Sequence, residues 1–306
     1  MFTTILVPLD GSALAERAIP YAEALARPSN ARLALVRAET SGITGSRVIV
    51  THEALAYLER IAVGLRARGL TVRTSAPYSA PASGVIAEAH RLEADLIVLV
   101  SHGRSGFGHL AYGSVAEEIL SRATSPVLLV SAQTASQDNA LPTGEVRLLV
   151  PLDGSSYAEA ALPAARDLAL ALGGSIVLLE ALPEPDVATR TNPAVDWAEV
   201  HDALRSQELD ELTYLRAVAA QDLADVATMS VVRAGAPAAV IATASRDYGA
   251  TMVVMATHGR QGLGRYFFGS VAAEALHTVG VPFLLVGPSA EIAVPPEEVQ
   301  ADAPNT

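Results

Sequence analysis

The chain has 306 residues, half of them hydrophobic, with 33 acidic against 21 basic side chains and a formal net charge of −12. That length suits two domains of ordinary size with a core in each, and the acidity argues against a surface built for nucleic acid or anionic lipid, leaving only a local basic pocket open. With no cysteine, disulfides, thiol nucleophiles, thiolate zinc sites and iron–sulfur clusters are excluded.

All 21 bases are arginine. A Walker-type phosphate loop needs a lysine after its glycines and a pyridoxal enzyme needs one for its Schiff base, so both are excluded as well. Apolar runs such as Leu96 to Val100 are strand-length, and the N-terminal run stops at Asp10 with no basic region before it. Neither a membrane span nor a secretory signal is expected, and a cytoplasmic protein is.

In chain order, Thr4 to Leu9 is an Ile/Leu/Val run of strand length. Asp10-Gly11-Ser12 breaks it, and Ser12 is placed to cap a helix with Leu14, Ala18, Ile19, Ala22 and Leu25 at its apolar positions. Arg32 to Val36 reads as a second strand, followed by a Gly/Ser/Thr loop over 40–46 and a helix from about Thr51 to Arg68 with Leu55, Leu58, Ile61 and Leu65 on one face. Leu70 to Thr74 is a third strand, Pro81 opens a third helix at its favoured first-turn position, Asp95 to Val100 is a fourth strand, Gly113 to Ala123 a fourth helix and Pro126 to Val130 a last strand.

The polar stretch 132–145 is a linker, after which the pattern restarts. Ile5-Leu-Val-Pro-Leu-Asp-Gly-Ser12 is answered by Leu148-Leu-Val-Pro-Leu-Asp-Gly-Ser155 at an offset of 143, and His102 and Ser114 are answered by His258 and Ser270 at an offset of 156. The second copy thus carries 13 extra residues, near Leu182 to Trp197, before a longer second helix. Alternating strands and helices predict two tandem doubly wound α/β domains, 1–131 and 146–287. Each is expected to hold a five-stranded parallel sheet of order 3-2-1-4-5 with helices on both faces. The tail 288–306 is expected to be disordered.

In such sheets ligands bind beyond the carboxyl ends of the strands, at the switch point between first and fourth strands. Asp10 and Asp153 end the first strands, and Gly-rich loops begin where the fourth strands end. Gly103 and Gly259 can take a positive φ and turn backbone N–H groups toward an anion. Gly113-Ser114-Val115 and Gly269-Ser270-Val271 open helices whose free N–H groups favour phosphate, and Arg104 and Arg260 can add charge. A plain strand-to-helix turn accounts for the same glycines, and helix capping accounts for the same aspartates. Ser12 and Ser156, the latter with Glu159 at capping-box spacing, are the better caps, which leaves the carboxylates to face a ligand. His102 and His258 have no carboxylate or nucleophile at a telling spacing, so no catalytic residue is assigned, and the histidines show no metal-ligand pattern.

Strand-Pro-x-Asp-Gly-Ser, then His-Gly-Arg-x-Gly, then Gly-Ser-Val-Ala before a closing Pro-Val/Phe-Leu-Leu-Val together resemble the universal stress protein family, in a tandem two-domain form. The resemblance implies an ATP site with Mg²⁺ carried on Gly-x2-Gly-x9-Gly-Ser/Thr. The second and third glycines of that motif are present as Gly103 and Gly113, and as Gly259 and Gly269, while Val100 and Ala256 stand at the first. The implied contacts in the second half are Pro151, Asp153, Ala181, Ala256, His258, Gly259, Arg260, Gly269, Ser270 and Val271. In the first they are Pro8, Asp10, Ala38, Val100, His102, Gly103, Arg104, Gly113, Ser114 and Val115. Because valine adds more bulk than alanine where a backbone must approach the ligand, the second site ranks above the first. The resemblance further implies pairing of the two halves through their last strands as an intrachain pseudo-dimer, and leaves a homodimer open. The functions in view are a nucleotide-occupied sensor or scaffold in the stress response, a structural dimerisation module that has lost nucleotide, and a slow ATPase.

Overall fold

In the computed structural model, residues 2–40, 47–101, 113–132, 141, 145–184, 197–257 and 269–287 are described. The first half runs β1 (Thr4–Pro8), a short 3-10 helix (Ala15–Ala18), α1 (Ile19–Ser29), β2 (Arg32–Val36), α2 (Arg47–Ala67), β3 (Val72–Ser75), α3 (Pro81–Arg91), β4 (Leu96–Ser101), α4 (Ser114–Arg122) and β5 (Val127–Ser131). The second half runs β6 (Arg147–Leu152), α5 (Ser156–Glu159), α6 (Leu162–Leu172), β7 (Ser175–Leu182), α7 (Trp197–Asp222), β8 (Thr228–Ala234), α8 (Pro237–Asp247), β9 (Met252–Ala256), α9 (Ser270–Thr278) and β10 (Phe283–Val286). The linker segments 133–140 and 142–144, most of the inserted stretch between Leu182 and Trp197, most of the 40–46 loop and the 288–306 tail lie outside the described residues.

The strands form one ten-stranded sheet in the order β3-β2-β1-β4-β5-β10-β9-β6-β7-β8. Within each half all pairings are parallel and follow the expected 3-2-1-4-5 order. The halves meet where β10 lies antiparallel to β5, with Phe283 opposite Leu129 and Leu284 opposite Leu128. Parallel strands buried on both faces need apolar side chains at every position, and the alternation decides which helices each one meets. Ile5 and Val7 of β1 face the layer of α1 and α2, whereas Leu6 faces α3 and α4. Both cores continue across the seam, since Leu128 and Leu284 share one and Leu129 and Phe283 the other.

Local differences from the expected elements have local causes. Ser12 Oγ does accept the Ala15 N–H at 3.1 Å, but the element it opens is the 3-10 turn, and α1 begins at Ile19 with Pro20 in its first turn. In α2 the fully buried positions are Ala54, Leu58, Ala62 and Leu65, with Leu55 and Ile61 on the flanks of that face. Small residues at 54 and 62 let the helix lie close to the sheet. In the second half the cap is Ser155, whose hydroxyl accepts the Ala158 N–H at 3.2 Å. Ser156 is the first helical residue, which corrects the assignment made from capping-box spacing.

Candidate functional site

β1 and β4 pair only at Ile5–Leu96 and Leu6–Ile97, and β6 and β9 only at Leu148–Met252 and Leu149–Val253, so each ladder stops short of the carboxyl ends at the switch point. Pro8 ends β1 and Pro151 is the penultimate residue of β6, each half-buried. Asp10 and Asp153 come two residues after these prolines. Asp10 Oδ1 accepts the Ser12 N–H at 2.8 Å. Asp153 Oδ1 accepts the Ser155 N–H at 3.1 Å and the Ser155 hydroxyl at 2.5 Å. The aspartates therefore shape their own loops, so serine capping does not leave their carboxylates freer, contrary to what the sequence suggests. Both loops need glycine between Asp and Ser, because Gly11 and Gly154 sit at φ +92° and +73°.

On the other wall, Val100 is half-buried in β4, and Ala256 closes β9 buried. Thr257 donates its N–H to Val286 O at 2.9 Å and accepts the Gly269 N–H at 2.8 Å, so the strand end and the helix start are tied together. Gly113 and Gly269 are the N-caps of α4 and α9, and glycine offers no side chain to cap the helix. First-turn N–H groups and the helix dipole favour an anion at such an end, and Ser114 and Ser270 are exposed there. The two glycines differ, with Gly113 at φ +85° and Gly269 at φ −58°. His102, Gly103, Arg104, His258, Gly259 and Arg260 lie outside the described residues. Ala38 sits just beyond β2, close enough to α3 that a Cβ on Gly84 would come within 2.8 Å of its own, and Ala181 holds the matching place in β7.

The structure also brings in residues that the motifs did not name. Tyr57 of α2 donates its hydroxyl to Glu16 at 2.9 Å, and Tyr214 of α7 donates to Glu159 at 2.7 Å. Burial first, and then the glutamate beside each, pushes both phenols well above their ordinary range. The fields of Asp10 and Asp153 reach the same two phenols, which places these pairs beside the aspartate loops. Their signal in the sequence was the duplication itself, since Glu16 recurs as Glu159 at an offset of 143 and Tyr57 as Tyr214 at an offset of 157. Arg37 completes the first cluster, its guanidinium 5.2 Å from the Tyr57 ring centroid and its Nε 2.5 Å from Glu39 Oε1.

A doubly wound parallel sheet with helix-opening Gly-Ser pairs and strand-end aspartates at its switch points places the chain among the doubly wound α/β proteins. The model of the universal stress protein family matches residues 1–131 and 146–287, and the chain belongs to that family. It is 29% identical to universal stress protein Rv2005c of Mycobacterium tuberculosis (strain ATCC 25618 / H37Rv) over 221 residues, 71% of this chain and 70% of that one. It is also 29% identical to universal stress protein YxiE of Bacillus subtilis (strain 168) over 147 residues, 42% of this chain and 99% of that one. In fold it is similar to a universal stress protein from Archaeoglobus fulgidus DSM 4304, with a TM-score of 0.66 at 18% identity, covering 94% of this chain and 97% of that one. Among the described residues no helix is long and apolar enough to cross a membrane.

Proposed function

We propose that the chain is a cytoplasmic, stress-associated protein that binds ATP or another adenine nucleotide in the two strand-end crevices and acts as a nucleotide-occupied sensor or scaffold. The observation that carries this reading is the twofold meeting of an aspartate loop (Asp10, Asp153) with a glycine-capped helix start (Gly113-Ser114, Gly269-Ser270) at the carboxyl edge of a parallel sheet. In each half the adenine is assigned to the aspartate and to the residue at 38 or 181, and the phosphates to the helix N-terminus and the arginine of the preceding loop. Val100 against Ala256 gives the second crevice the closer backbone approach. Mg²⁺ comes with the nucleotide.

The test is to denature purified protein, chromatograph what is released, and titrate ATP–Mg²⁺ calorimetrically into protein stripped of nucleotide. Adenine nucleotide in the supernatant and saturable heat support the reading, and the absence of both overturns it. Val100 also favours a second reading, a structural dimerisation module that has lost nucleotide. Val100→Gly raising affinity at the first crevice, beside a competent second one, would favour partial loss over complete loss.

A further inference from the structure

The halves align residue for residue along β2 and β7, and at one position their charges are opposite. The β6–β7 register sets Leu152 opposite Glu180, and the offset of 143 that relates the first strands makes Glu180 the counterpart of Arg37. Both residues immediately precede the assigned adenine contacts, Ala38 and Ala181. Arg37 lies against the aspartate loop, since a Cβ on Gly11 would meet its Nη1 at 3.0 Å. Glu180 is 5% exposed, and its field, with those of Glu159 and Asp153, acts on the Tyr214 hydroxyl. In the first half Arg37 and Arg60 both lie over the Tyr57 ring, at 5.2 and 5.5 Å, among Asp10, Glu16 and Glu39. The residue matching Arg37 is Glu180, and at the offset of 157 that relates Tyr57 to Tyr214 the residue matching Arg60 is Ala217, next to Arg216. Glu117 in the first turn of α4 has the opposite sense, its counterpart being Ala273, and burial raises its carboxyl above the usual range, so its opposition to phosphate is a separate contribution at the helix end.

We propose that Arg37 and Glu180 sort adenine ligands by charge between the two crevices, the first favouring the polyphosphate and the second the neutral or singly charged ligand. This rests on the nucleotide-binding reading and refines its ranking: the strand residue at 100 or 256 governs how closely a ligand fits, and the residue at 37 or 180 governs what charge it bears. Charges in a partly desolvated crevice act over distances at which they would be screened in water.

The experiment compares metal-free ATP with adenosine, calorimetrically and at low ionic strength. The first crevice is measured in the Gly269→Val chain and the second in the Gly113→Val chain, and the quantity read is the ratio of ATP to adenosine affinity. It is expected to be higher at the first crevice. Glu180→Gln raises it roughly tenfold at the second, and Arg37→Gln lowers it roughly tenfold at the first. A substitution that merely loosens the fold weakens both ligands and leaves the ratio unchanged. Equal ratios at the two crevices, unmoved by either substitution, overturn the proposal while leaving nucleotide binding intact. If neither ligand binds at either crevice, the underlying reading fails first. The same two substitutions in the chain without valines keep the result independent of those blocks.

Discussion

Tyr214 donates its hydroxyl to Glu159 across 2.7 Å, joining the long helix α7 to the short helix behind the Asp153 loop. Among the described residues of α7 only Leu215 and Val218 are buried, and this bond adds to their packing in fixing the helix there. Tyr57 and Glu16 repeat it in the first half. Both phenols are held above their ordinary value of about 10. The unfolded chain therefore loses these protons first, and stability is complete below about pH 10 and falls as pH rises through that value toward the folded one. Urea unfolding is expected to be level from about pH 7 to 9 and to weaken above about 10. The Tyr57→Phe/Tyr214→Phe chain should start lower, by roughly 1 kcal/mol or more per bond, and lose less in that alkaline range. An equally steep alkaline loss in the double variant would assign it to other groups.

The strands and their order were legible because burial on both faces leaves uninterrupted apolar runs such as Leu96 to Val100, and because the duplication repeats the whole pattern. The two switch points followed from topology. The features hidden from the sequence depend on rotation about an element. Whether Ser155 or Ser156 caps is a difference of one residue, and α2 buries Ala54 and Ala62 because small side chains fit close to the sheet while Leu55 and Ile61 flank them. The exchange of Arg37 for Glu180 became meaningful only when the register placed both beside the aspartate loops.

The Ser155 assignment separates two adjacent hydroxyls. Ser155→Ala removes the cap to the Ala158 N–H and the donor to Asp153, so a loss of about 0.5–2 kcal/mol is expected. Ser156→Ala, at the first helical position, should fall within about 0.5 kcal/mol of the parent. Chemical denaturation of the two variants decides it, and the reverse order would restore the capping-box assignment.

The seam between β5 and β10 is the one place where the halves share a ladder among the described residues, and Phe283 there is 2% exposed opposite Leu129. Phe283→Ala opens a cavity in a core that spans both halves and should cost about 3–5 kcal/mol. Because that core is continuous across the seam, the loss should also uncouple the halves. A single urea transition in the parent would divide into two in the variant. A cost below about 1 kcal/mol with one transition retained would show that the seam contributes little.

Where α3 and α8 approach β2 and β7, the halves exchange a small residue for a large one. A Cβ on Gly84 would meet Ser79 Cβ at 3.3 Å, and in the second half Gly235 and Val240 hold the matching places, with a Cβ on Gly235 meeting Val240 Cγ2 at 2.9 Å. Gly84→Val should cost about 1–3 kcal/mol by overpacking, and Ser79→Gly should relieve part of it. A double-mutant cycle measures the relief, with a coupling of about 0.5 kcal/mol or more expected for residues in contact. Strict additivity would mean that the steric conflict lies with Ala38 alone.

Glu117 offers a test of the first crevice that leaves its aspartate loop intact. It lies in the first turn of α4, where the helix end favours an anion, and burial raises its carboxyl above the usual range. Above that raised value the side chain is ionised and opposes a phosphate at the same helix end; below it the side chain is neutral and the opposition disappears. In the Gly269→Val chain, ATP affinity should therefore fall as pH rises through the Glu117 titration. Glu117→Ala should remove that dependence and strengthen ATP binding by roughly threefold to tenfold at about pH 8, with adenosine unchanged. The second half has Ala273 at this position, so the Gly113→Val chain should show no matching step in the same range. A pH profile for ATP that survives Glu117→Ala, or an equal change for adenosine, would remove the phosphate from the α4 end and with it the assignment of Gly113-Ser114 as the phosphate contact.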